Sequence, residues 1–118
     1  MADLKVKELA KEVHALAINK GWYPVPSPTF PECIAMFHSE ISEALQLYRD
    51  GYAPEEIRIE PDALCESGKP TGIPIEFADV IIRVFDTCEF YGIDIEDAII
   101  RKHEYNKTRP WRHGGKRI

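Results

Sequence analysis

Apolar residues recur along this chain every three or four positions, the spacing of helices that bury one face, and nowhere alternate convincingly as half-buried strands do. The pattern predicts four helices. The first spans about Asp3 to Lys20, with Asp3 as its cap and Gly21 as its stop. The second begins near Pro31, a residue suited to a first helical turn, and ends at Asp50-Gly51. The third begins near Pro74 and ends before Gly92, and the fourth runs from Asp94 to before Pro110. Residues 51–73 collect Gly, Pro and charged residues and read as a long loop, with IRIE (57–60) as its one candidate strand. Loops of that length inside a small domain are commonly functional. The expected fold is all-α, a four-helix bundle-like single domain over residues 1–118 with a basic irregular tail at 108–118.

Helical wheels separate plain amphipathicity from something more specific. On the first helix Val6, Leu9, Ala10, Val13, Leu16 and Ala17 share one arc, and Lys5, Lys7, Glu8, Lys11 and Glu12 lie outside it. On the second, Cys33, Ile34, Phe37, Ile41, Ala44 and Tyr48 flank Glu40 on one side, and Met36 and Leu47 on the other. Glu40 thus falls inside an apolar arc, with Glu43 at its edge. A carboxylate so placed has to be paired, protonated or bound to a metal. The third helix carries an apolar arc of about 200°, formed by Phe77, Val80, Ile81, Ile82, Val84, Phe85 and Cys88. Glu76, Asp79, Arg83 and Asp86 share the remaining stripe, which is either a solvated face or a site. On the fourth, Lys102 and Asn106 fall within the arc of Ile95, Ala98, Ile99 and Tyr105, where the Lys stem either snorkels or points at the acids.

Charge changes the picture more than bulk composition does. The net charge is −5, yet residues 101–118 hold seven Lys/Arg and one acid, so an acidic body carries a basic end. An acidic body is a poor non-specific partner for nucleic acid, whereas a cationic end beside acids suits a phosphorylated small molecule. Three cysteines without paired spacing point to reduced thiols, and Cys33 and Cys88 to core packing. No run approaches the length of a membrane span, and MADLKVKELAKEV lacks a signal-peptide pattern, so the expected location is cytoplasmic.

The acids form two pairs on separate helices, Glu40-x-x-Glu43 and Glu76-x-x-Asp79. Residues three apart share a helix face, so all four carboxylates can converge. Hard oxygen ligands suit Mg²⁺ or Mn²⁺. Trp22, Tyr23 and Trp111 lie outside the helices and can either stack on a base or pack a core.

HSEISEAL, GIPIEFADVIIRVFD and KHEYNKTRPWRHGGK together resemble the MazG-like nucleoside triphosphate pyrophosphohydrolases, over residues 30–116. The resemblance implies Glu40, Glu43, Glu76 and Asp79 as Mg²⁺ ligands, with Glu40 or Glu43 also orienting the attacking water. It implies that Lys102, Asn106 and Arg109 contact the triphosphate, and Trp22 is a candidate for the base. The implied reaction cleaves an NTP or dNTP between the α and β phosphates, giving a monophosphate and pyrophosphate, as in clearing the nucleotide pool. A homodimer or homotetramer is also implied. Ser39 stands where the family pattern has another acid, and the segment 51–73 separates the acidic pairs widely.

Two other readings compete. A di-iron or di-manganese bundle needs Glu-x-x-His pairs, but the positions three before His38 and His103 are Ala35 and Ile100. A non-catalytic interaction or nucleic-acid-binding module would use the basic end alone, and it gives no reason for Glu40 to lie in an apolar arc.

Overall fold

The computed structural model describes residues 5–110, and the elements run α1 (Val6–Asn19), α2 (Phe30–Arg49), β1 (Ile57–Asp62), β2 (Cys65–Gly72), α3 (Ile73–Phe90) and α4 (Ile95–Thr108). The four helices fall where the periodicity places them. The expected cap Asp3, the tail beyond Pro110 and Trp111 lie outside the described residues.

Local chemistry sets the helix ends. Thr29 caps α2 by accepting from the Glu32 amide at 3.3 Å, and its hydroxyl donates to the Glu32 carboxylate at 2.9 Å. Pro31 occupies the first turn, where its missing N–H costs nothing. Asp94 caps α4 through the Asp97 amide at 3.0 Å.

The expected long loop is instead an antiparallel hairpin, so the fold is mainly helical rather than purely so. Ile57 pairs with Gly72 and Ile59 with Pro70, with an irregularity between Glu60 and Asp62. An isolated two-stranded ribbon is marginal in water, and this one is tied to the helices at its base. The Arg58 guanidinium lies 3.8 Å from the centre of the Tyr52 ring and pairs with Glu56. Gly72 joins β2 directly to α3 at φ +145°, and a Cβ there would stand 2.3 Å from the Glu56 carbonyl. Only glycine lets the chain turn so tightly against its own backbone.

α3 is the central element, with α1 and α2 packed along it and the hairpin at its start. Ala10 and Ala17 of α1, Cys33 and Ala44 of α2, and Ile73, Phe85 and Cys88 of α3 are the buried apolar residues. These side chains are mostly small, which lets the helices approach closely but buries little apolar area.

The orientation of α3 decides between the two readings of its charged stripe. Its charged stripe faces α1 and α2, and Asp86 is 5% exposed. Phe77 and Ile81 of its apolar arc are 51% and 49% exposed. Ile34, Ile41, Leu45 and Tyr48 likewise leave one side of α2 open, and Leu16 of α1 is exposed. α4 buries no residue. It meets the rest of the chain at its start, through the ion pair of Lys7 with Asp94 at 3.7 Å. The arc expected to face inward, with Ile99 and Tyr105, is therefore exposed in the single chain.

Candidate metal and nucleotide site

α2 and α3 bring three of the four expected acids together. Glu40, Glu43 and Glu76 each offer a carboxylate oxygen within 4.8 Å of the others. Glu40 is buried, Glu76 half-buried and Glu43 exposed, so the cluster has a closed floor and an open mouth. Asp79, one turn beyond Glu76, is half-buried beside them without joining the tight group.

Arg83 answers the question that Glu40 poses. Its Nε donates to Glu40 Oε1 at 2.6 Å, so the misplaced carboxylate is paired. Burial pushes the Glu40 carboxyl up, but the Arg83 hydrogen bond, contacts with Glu43 and Glu76, and the Arg83 charge outweigh it and hold the group low. Glu76 goes the other way. Burial first, then Glu43 and Glu40, then the charge of Asp79, push it up to about 7. Its Oε2 is buried and finds no hydrogen-bond partner among the described residues. Burial and the Glu40 charge raise Asp79 as well, with Arg83 and Lys69 opposing. Lys69 comes from β2, so the hairpin places a cation near the acids.

Four carboxylates against Arg83 and Lys69 leave an excess of negative charge. An all-carboxylate donor set fits a hard divalent cation such as Mg²⁺ or Mn²⁺ and lacks the sulfur and imidazole ligands typical of zinc. The orphaned Glu76 oxygen is the observation that fits such an ion, because a buried polar atom without a partner is costly.

An open cleft of about 510 Å³ adjoins the acids, lined by Trp22, Cys33, Met36, Phe37, Arg83 and Asp86 among others. Arg83 belongs to both places, since its guanidinium carbon stands 5.3 Å from the centre of the Trp22 ring while its Nε holds Glu40. Trp22 therefore stands next to the arginine that holds Glu40, at the edge of the cleft and partly exposed. On the far wall, Asp86 accepts from the Tyr23 hydroxyl at 2.7 Å and meets His14 Nδ1 at 2.7 Å. Burial and the Asp86 hydrogen bond push the Tyr23 hydroxyl well up, so it stays a donor.

Lys102, Asn106 and Arg109 do not join the cluster within one chain. All three are exposed, and Lys102 and Arg109 lie 5.0 and 5.9 Å from the centre of the Tyr105 ring. Sequence reasoning put Arg83 on the right stripe without giving it a partner. It missed Lys69 and His14, although His14 borders the apolar arc of α1 between Ala10 and Ala17.

Comparison with models of known protein families, with characterised proteins and with solved structures returns no match to this chain. Among the described residues, no helix is long and apolar enough to cross a membrane.

Proposed function

We propose that this chain is a Mg²⁺-dependent nucleoside triphosphate pyrophosphohydrolase of the MazG-like kind, acting on an NTP or dNTP to give a monophosphate and pyrophosphate. The observation that carries the reading is the Glu40–Glu43–Glu76 cluster, with one buried Glu76 oxygen unpartnered, opening beside an aromatic-lined cleft. Acids and cleft together match the two halves of a nucleotide.

Glu40, Glu43, Glu76 and Asp79 would hold the metal, with Mn²⁺ as an alternative to Mg²⁺. A bound divalent cation polarises a phosphoryl oxygen and makes water a better nucleophile. The remaining work falls to the chain itself. Arg83 keeps Glu40 ionised and fixed in direction. Glu43, exposed at the mouth, is the acid best placed to take a proton from water. Trp22 offers a ring face for the base, and Arg83 and Lys69 offset negative charge on the phosphates.

The phosphate-binding role of Lys102, Asn106 and Arg109 requires a second copy of the chain, because α4 lies apart from the acids in one copy. The exposed apolar faces of α2 and α3 supply the surface for a homodimer or homotetramer. A panel of NTPs and dNTPs with Mg²⁺, assayed for pyrophosphate, tests the reading. Release that Glu43→Gln abolishes supports it, and a panel without any turnover overturns it.

A further inference from the structure

We infer that Asp86 selects the base: the cleft takes a nucleotide whose ring carries an exocyclic amino group and disfavours the oxo counterpart. The inference rests on reading the neighbouring acids as the triphosphate site, and it adds the recognition element at the other end.

Asp86 is 5% exposed, yet it lines the cleft. Its two oxygens accept one hydrogen bond each from this chain, from Tyr23 and from His14 with the imidazole proton on Nδ1. An ionised carboxylate has about four acceptor sites, so each oxygen keeps capacity for a further donor. Among the described residues no other side chain fills it. The cation of the cleft lining, Arg83, gives its Nε–H to Glu40 rather than to Asp86. Glu32, also lining the cleft, adds another acceptor. Arg83, Trp22 and Thr87 keep donors for other parts of a ligand, while the lining carboxylates are Asp86 and Glu32, so the atom seated against Asp86 has to be a donor.

The carboxylate is also held in place. Tyr23 stacks on Phe90 with centroids 4.3 Å apart and planes 20° from parallel, and His14 meets Tyr23 edge-on at 5.3 Å. An acceptor fixed by this aromatic group cannot easily turn away from a ligand that offers the wrong atom. An amino N–H pointed at Asp86 makes a charge-assisted hydrogen bond. A carbonyl in the same position sets oxygen against oxygen with no proton between them. Trp22, Met36 and Phe37 supply apolar contact for the ring and leave ring size open, so the discriminating feature is the edge.

The test is calorimetric titration of the full chain with Mg²⁺ and paired monophosphates, CMP against UMP and AMP against IMP. In whichever ring size binds, the amino member is expected to bind roughly 10- to 100-fold more tightly, the worth of one hydrogen bond to a charged group. Asp86→Asn, whose amide can donate as well as accept, should reduce the ratio to about threefold or less. The wild-type comparison stands by itself if that variant does not fold. Equal or tighter binding of the oxo member overturns the inference, as does failure of every mononucleotide to bind. Amino-selective binding without pyrophosphate release supports the inference and counts only against the hydrolase reading.

Discussion

Glu76 makes the acid cluster a liability without a cation, and the cost can be worked out. Its carboxyl is displaced from 4.5 to about 7 by burial and by Glu43, Glu40 and Asp79. The folded chain therefore binds more protons than the unfolded chain between these values. Stability is complete below the unfolded value and is lost as pH rises through about 7. The displacement corresponds to about 3 kcal/mol, reduced to on the order of 2 kcal/mol by solvent screening at a half-buried group. For a chain of this size, 2 kcal/mol moves the melting temperature by roughly 8 °C. In EDTA, the wild type should melt several degrees lower at pH 8 than at pH 5.5. Glu76→Gln should lose this slope and melt higher than wild type at pH 8. Excess Mg²⁺ should reverse the order, because the wild type gains the binding energy and the variant gains little. Thermal melts at the two pH values, with EDTA and with Mg²⁺, read all of this. A wild type insensitive to pH in EDTA, or a variant that responds to Mg²⁺ as the wild type does, would refute the reasoning.

Three further outcomes follow from the same geometry. Arg83→Met strips the buried Glu40 of its partner and should cost about 2–4 kcal/mol in EDTA, and Mg²⁺ should recover part of the loss in a denaturant titration. Lys102→Ala should leave stability near wild type, since among the described residues its ammonium meets only an exposed ring, while turnover falls roughly 10²- to 10³-fold; a large drop in melting temperature with normal turnover would exclude the phosphate role. Ile81→Glu places a charge on a position half-exposed in one chain, so light scattering should show a smaller particle than wild type at micromolar concentration, and an unchanged mass would show that this face is not the contact.

The helices were legible because their signals are local. Apolar spacing, Pro31 and Pro74 in first turns, and Asp94 at the start of α4 act within a few residues. Glu40 was legible as an anomaly, because an acid inside an apolar arc is visible on a wheel. Its partner was not, since Arg83 lies 43 positions away and only the packing of α2 on α3 joins them. The hairpin was half-legible. IRIE has strand character, but CESGKPTG has none, and it pairs because the ribbon is anchored at Tyr52, Glu56 and Gly72. The wheel of α3 left two readings open, because a wide apolar arc beside a charged stripe fits either a wet stripe or a buried site. Here the stripe turns inward, where Glu40 awaits Arg83 and where His14 and Tyr23 await Asp86. Phe77 and Ile81 are left exposed, a choice that a single chain gives little reason to make and a second copy would explain.

The central claim is that the carboxylate cluster holds a divalent cation and directs cleavage between the α and β phosphates. Phosphorus-31 NMR of a nucleoside triphosphate incubated with the protein tests it most directly. With Mg²⁺, the account predicts monophosphate and pyrophosphate in equal amounts, and no turnover in excess EDTA. Orthophosphate and diphosphate as products, or undiminished turnover in EDTA, would contradict it.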